Sequence, residues 1–297
     1  MLFTSKNAEL CVMYSLTSLH AGSGQATGVV DLPIQRERHT GWPMVQASGV
    51  KGAFRDWFTR FYEANGDGED RLAQAREFAN KVFGREETSG DAGHAGSISL
   101  TDARMLLFPV RSSVAPFVWL ICPAILERLN RDLALIWNKP SFNVPAADGD
   151  VAIGLTGEWT DQTIVLEDLA VSMGQANPDP ALSELMRRLA PQATRVLLIS
   201  NQNFKFLVET ATEVQPQISI DPNTGTTKNG SLRYQELLPA DSVLYSMAFF
   251  SAERSKEATL QASQIRERVK EALGTHVQIG GDMTMGHGIM ELNWLGA

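Results

Sequence analysis

The sequence predicts an α+β fold built on a split βαβ, ferredoxin-like core, and three observations carry that prediction. A strand-like stretch at 10–19 precedes a strongly periodic helix that begins near Ser48. A second strand–helix pair, Val243–Phe250 and then 252–273, closes the chain. Strand and helix patterns alternate between the two pairs, and two polar tracts, about 63–96 and about 210–239, read as insertions.

Taken in order, residues 10–19 are rich in Val, Tyr, Thr and Leu and alternate loosely, as a first strand does. The chain must turn at Ala21-Gly22-Ser23-Gly24, and Pro33 and Pro43 keep the next stretch irregular. Val50, Ala53, Phe54, Trp57, Phe58, Phe61 and Tyr62 then recur at spacings of three and four, which marks a helix that Ser48 is placed to cap. The acidic, glycine-bearing tract that follows has one helical piece near 72–83 and reads as an inserted lid. Strands are expected at 97–107 and 114–122. Pro123 opens a helix with Ile125, Leu126, Leu129, Leu133 and Ile136 on one face. A Pro/Gly/Asp-rich connection at 138–154 leads to a short strand at 163–169, a short helix at 182–189 and a buried strand at 195–199. Val214 to Ile220 alternates, Asp221-Pro222-Asn223-Thr224-Gly225 turns, and 231–238 returns, which together predict a projecting hairpin. After the last helix a strand at 276–280 runs into Gly280-Gly281-Asp282-Met283-Thr284-Met285-Gly286-His287-Gly288.

The totals narrow the class. With 297 residues and 43% apolar side chains, a substantial core can form. Cys11 and Cys122 lie in apolar runs with no CxxC partner, as free thiols of a reducing compartment do, and give no thiolate zinc site. No secretory signal is evident and no apolar run is long enough to span a bilayer, so a cytoplasmic protein without a membrane segment is expected. A net charge of −8 argues against a simple nucleic-acid binder. Residues 1–60, however, hold six Lys and Arg against four Asp and Glu, a local +2 on an acidic body.

Chemistry concentrates between Leu19 and Arg55. Three glycine-punctuated turns sit there with Asp31, His20, His39 and the cations Arg36, Arg38, Lys51 and Arg55. Lys51 and Arg55 are four apart and share one helix face, where an anion would relieve their conflict with the helix dipole. Asp31 reads either as a turn-forming residue or as an acid beside phosphate-binding cations, able to hold one hydrated Mg²⁺ or to orient a nucleophile. The cations read either as a solvated face or as a phosphate grip. The closing glycines either make a tight connection or let backbone approach a polyanion. A Ser23–His–Asp31 hydrolase lacks the GxSxG turn, and no dinucleotide fingerprint follows the first strand.

Together, Leu19-His20-x-Gly22-Ser23-Gly24, the run from Val30 to Gly41, Val50-Lys51-Gly52-Ala53-Phe54-Arg55, Asp102-Ala103-Arg104, Leu107 to Arg111 and Gln278-Ile279-Gly280-Gly281 resemble one family. The chain is similar, over nearly its whole length, to the RAMP-superfamily backbone subunit of type III-B CRISPR (Cmr) effector complexes. That resemblance implies a single domain over 1–297: a modified ferredoxin-like, RRM-like palm with an inserted lid and a β-hairpin thumb. It implies copies stacked in a helical filament along CRISPR RNA, beside other Cmr complex subunits, with a thumb displacing a nucleotide of the guide–target duplex. The target single-stranded RNA would then be cut in a reaction dependent on Mg²⁺ or another divalent cation. By resemblance Asp31 is the catalytic residue and metal ligand, with His20 and Glu236 as helpers. Lys51 is a guide-phosphate contact, and Arg36, Arg38, His39, Arg55, Gly280 and Gly281 complete the RNA-binding set. The tail departs from the family pattern at Met283, Met285 and His287. Two other readings stay open: a guide-binding structural subunit of the same complex without nuclease activity, and a self-assembling protein without nucleic acid.

Overall fold

A computed structural model describes residues 5–26, 28–86, 93–137, 142–175, 177–255 and 258–296. The chain opens with β1 (Ala8–Ser15), then β2 (Met44–Val45), α1 (Ala47–Ala64) and α2 (Arg71–Phe83). The short pair β3 (Gly84–Arg85) and β4 (His94–Ala95) precedes β5 (Ile98–Leu100), β6 (Ala103–Arg111), β7 (Phe117–Ile121) and α3 (Pro123–Trp137). Then come β8 (Val151–Gly154), β9 (Thr163–Leu166), β10 (Leu169–Met173), α4 (Pro180–Leu189), β11 (Val196–Leu198) and α5 (Asn201–Thr210). The hairpin β12 (Glu213–Gln217) and β13 (Arg233–Leu237) precedes β14 (Val243–Phe250), α6 (Ala262–Leu273), β15 (His276–Gln278) and β16 (Ile289–Gly296).

The architecture is mixed α+β around one large sheet of order β15-β16-β1-β14-β6-β7-β11-β8-β10-β9, with β5 against β14 and β2 against β6. The sheet is mixed because β11 runs parallel to β7 and β10 parallel to β8, while its other pairings are antiparallel. Every residue of β1 and of β14 is buried, which explains their continuous apolar runs. They pair in register, Leu10 opposite Met247, and β1 pairs on its other edge with β16. Helix α3 buries Ile125, Leu126, Leu129, Leu133 and Ile136, the face that its periodicity predicts. Helix α1 turns Val50, Phe54 and Phe58 inward, and Phe58 packs against Phe78 of α2.

Several boundaries differ from expectation for identifiable reasons. The first strand ends at Ser15, and Leu19 instead bridges Leu238 at the hairpin's foot. Ser48 does not cap α1. Gln46 holds the cap position without a side-chain bond, and Asp102 Oδ1 accepts the Ala47 N–H at 2.8 Å. The last helix starts at Ala262 and not at 252. Its upstream segment is pinned by the buried Glu253 carboxylate, which accepts from Ser255 Oγ and from the Thr259 and Leu260 N–H groups. Burial opposes ionisation of Glu253, but those donors and Lys81 outweigh it and hold its pKa down at about 2. Gln261 and Gln264 then form the box that starts the helix. Helix α5 and strand β16 have no counterpart among the expected elements. Among the described residues no helix is long and apolar enough to cross a membrane.

Candidate nucleic-acid interface

The site is organised by one strand edge. β13 pairs with β12 on one side. On the other, Leu32 runs parallel to it: the Leu32 N–H donates to Tyr234 O and the Glu236 N–H to Leu32 O, both at 3.0 Å. This edge fixes both Asp31 and His20. The Tyr234 N–H donates to Asp31 Oδ2 at 2.7 Å, and His20 Nδ1 lies 2.8 Å from Glu236 O. The two anchor residues are two positions apart, about 7 Å along a strand. A carbonyl oxygen only accepts, so a His20 proton sits on Nδ1 and Nε2 is the ring nitrogen left for another partner. Among the described residues no hydrogen bond occupies Asp31 Oδ1.

Glycines close the site around His20. Gly280 has φ +85°, and a Cβ there would lie 2.5 Å from His20 O. The Gly281 N–H donates to the same oxygen at 2.9 Å. A Cβ on Gly22 would come 2.8 Å from His20 Nε2. The glycine-rich tail is thus a backbone cradle for the histidine turn. Gln235 Nε2, from the buried face of β13, donates to Asp282 Oδ2 and ties tail to hairpin.

Glu236 is held in a network of its own. Its side chain is buried, with both oxygens taken. Oε1 meets Arg36 Nη2 at 2.6 Å and accepts the Thr212 hydroxyl at 2.8 Å, while Oε2 accepts the Ile34 N–H at 3.0 Å. A carboxylate so engaged holds the 31–36 segment in place. Arg36 is likewise turned inward, donating also to Gly41 O and Val208 O, so its guanidinium is no open phosphate contact.

The remaining cations divide. Arg38 and His39 are exposed on a turn whose frame is a buried ion pair, Arg128 Nη1 to Glu37 Oε1 at 2.6 Å, with Thr40 Oγ1 on the other Glu37 oxygen. Arg128 also lies over the Trp42 ring. Arg55 is fastened to the β3 end by Gly84 O and Asn80 Oδ1, so it supplies charge and structure at once. Lys51 is half-buried, and its pKa is lowered by burial and then by the Arg55 charge. No ion pair neutralises Lys51 among the described residues, which suits an arriving anion. Nothing in the sequence signals the Tyr234 N–H or Thr212, whose contributions depend on pairing across the fold.

No three His, Cys, Asp or Glu side chains gather as a metal site among the described residues. Among those residues, Asp31 offers one carboxylate with Oδ1 unengaged, which does not make an all-protein cage.

A model of the RAMP superfamily matches residues 12–291. The chain belongs to the RAMP superfamily. This RAMP protein is 33% identical over 296 residues to the CRISPR system Cmr endoribonuclease Cmr4 of Pyrococcus furiosus, covering 96% of this chain and 95% of that one. Its fold matches a crystal structure of oligomeric Cmr4 from Pyrococcus furiosus with a TM-score of 0.70 and 27% identity, over 98% of both chains. It also matches a chain of the type III-B Cmr-beta complex bound to cognate target RNA, with a TM-score of 0.74 and 21% identity, over 97% and 96% of the two chains.

Proposed function

We propose that this RAMP protein is the guide-RNA-binding, target-cleaving filament subunit of a type III-B effector complex, acting in the cytoplasm as an endoribonuclease beside other copies of itself and other Cmr subunits. The observation that carries the reading is the β13 edge, which fastens Asp31 and His20 to the foot of a hairpin. The Pyrococcus furiosus relative is a Cmr endoribonuclease, and Cmr4 of the same organism is solved as an oligomer. On this reading the main sheet with α1 and α6 is a modified ferredoxin-like palm, α2 with β3 and β4 is a lid, and β12–β13 is the thumb. Ile218, Ile220, Leu232 and Tyr234 stay exposed on the thumb, as wedges between stacked bases do.

The chemistry needs few protein groups, because RNA carries its own nucleophile. The 2′-oxygen forms a bond to the neighbouring phosphorus, the P–O5′ bond breaks, the 2′-hydroxyl gives up a proton and the departing 5′-oxygen takes one. Stacked A-form geometry keeps the 2′-oxygen out of line with the leaving oxygen. A thumb that splays the strand brings it into line, so positioning does much of the work. Asp31 orients or accepts the 2′-proton, and His20 Nε2 lies on the same edge for proton transfer. Asp31 would be the residue to hold a divalent cation, which would supply positive charge at the reacting phosphate. Guide pairing supplies sequence choice, while the protein reads backbone and shape.

Lys51 binds guide phosphate on this reading. Lys51→Ala is expected to weaken guide RNA binding at least about tenfold, and to flatten the plot of log affinity against log salt by about one unit, whatever the RNA sequence. Filter binding across a salt titration reads both quantities. Unchanged affinity and slope would remove Lys51 from the interface, and a parent protein that never copurifies with RNA would overturn the function itself.

A further inference from the structure

A cavity of about 540 Å³ opens between α1 and the β3–β4 pair, within the ~300–1,000 Å³ range of small-ligand sites. Among the described residues, Lys51, Arg55, Arg85 and Arg254 line it with one carboxylate, Glu86, in a chain whose net charge is −8. His94 of β4 and the Ser48 hydroxyl add polar donors to the wall. Three chain segments far apart in sequence therefore bring positive charge to one concave surface, which focuses the field on whatever enters.

The wall is preformed. Gly84 has φ +98°, and a Cβ there would lie 2.8 Å from Gly96 N. A Cβ on Gly96 would lie 2.6 Å from the Phe83 carbonyl. Backbone packs on backbone at both points, and Arg55 Nη1 reaches across to Gly84 O at 3.1 Å. Arg85 also pairs with Glu77 at 3.6 Å, while Arg254 is exposed at the rim with no ion-pair partner among the described residues.

The cavity also has a neighbour that reaches toward the His20 turn. Gly52 lines it and lines a second cavity, of about 340 Å³, on the neighbouring face of α1. Nothing lies within 4 Å of where a Gly52 Cβ would be, so α1 has a bare saddle there. The second cavity is bounded by Trp57, Gln278, Met283 and Gly280, and Gly280 abuts the His20 carbonyl. A backbone crossing α1 at Gly52 thus finds concentrated positive charge on one side and the histidine turn on the other.

We propose that the cavity between α1 and the β3–β4 pair is a phosphodiester-binding site for RNA, in which His94 and Arg254 act with Lys51. The proposal rests on the guide-binding reading and extends it to residues outside the family motifs. A phosphate there meets charge-assisted donors and relieves the unfavourable burial of Lys51 beside Arg55.

The test uses the full chain with a single-stranded RNA of arbitrary sequence and, separately, with inorganic phosphate. Affinity is measured across a salt series for the parent, His94→Gln, Arg254→Gln and the double variant, with melting temperatures recorded without RNA. Arg254 is exposed, so its variant keeps the fold even if His94→Gln disturbs β4. The expected result is at least about threefold weaker RNA binding for Arg254→Gln and a salt slope shallower by about 0.7 or more for the double variant, with the Arg254→Gln melting temperature unchanged. If the parent binds RNA and the variants match it in affinity and slope, the cavity proposal fails while guide binding stands. If the parent binds no RNA, both fail. Phosphorus-31 line broadening of inorganic phosphate that the double variant loses, with RNA affinity intact, would assign the cavity to free phosphate and overturn the RNA site.

Discussion

Asp31→Asn is expected to lower cleavage of a guide-complementary RNA by about 10²-fold or more while leaving guide binding in place. The substitution keeps the shape of the side chain, and the Asn oxygen can still accept the Tyr234 N–H that holds Asp31 Oδ2 at 2.7 Å. What disappears is the negative charge, and with it both proton acceptance and most affinity for a cation. Guide binding persists or tightens slightly, because an anion beside phosphates is gone. The measurement is a time course with a guide-loaded assembly, labelled complementary RNA and Mg²⁺. Cleavage at the parent rate would leave the subunit as a guide-binding scaffold, or move the chemistry to His20. Loss of assembly together with cleavage would make Asp31 a turn residue.

Glu236 has a different expected signature. Glu236→Leu strands the Arg36 guanidinium, the Thr212 hydroxyl and the Ile34 N–H, all of which the carboxylate now satisfies. Removing one partner of a buried pair costs about 3–5 kcal/mol. A large fall in melting temperature should therefore accompany any loss of cleavage. Adding Arg36→Met to Glu236→Leu should recover much of that stability, because the uncompensated charge is gone. Thermal denaturation of the two single variants and the double variant measures the coupling. Single variants as stable as the parent, with cleavage abolished in Glu236→Leu alone, would return Glu236 to a chemical role.

The legible parts of this chain are those whose signal is local. Helices α1 and α3 follow from apolar residues three and four apart, and their buried faces are the ones that spacing selects. The β12–β13 hairpin follows from its Asp-Pro-Asn-Thr-Gly turn. His20, Asp31 and Lys51 stand out through glycine turns and the family motifs around them. Long-range pairing left no such mark. Glu236 and Arg36 are 200 residues apart, and nothing near either one announces the other. The Tyr234 and Glu236 backbone groups that fix Asp31 and His20 belong to any residue type, so they carry no sequence signature at all. The start of α6 is not legible because Glu253 is an ordinary helix former by type, while in the fold its carboxylate captures the Thr259 and Leu260 N–H groups. His94 and Arg254 reach the Lys51 cavity only through the fold.

On this account the β13 edge positions an RNA whose own 2′-hydroxyl is the nucleophile. A complementary RNA carrying one 2′-deoxynucleotide immediately 5′ to a single scissile phosphate tests it most directly. With a guide-loaded parent assembly, that one cut should disappear while the cuts at neighbouring subunits continue at their usual rate. A cut that persists at the deoxy position would show that water, activated by the protein, is the nucleophile, and would contradict the assignment.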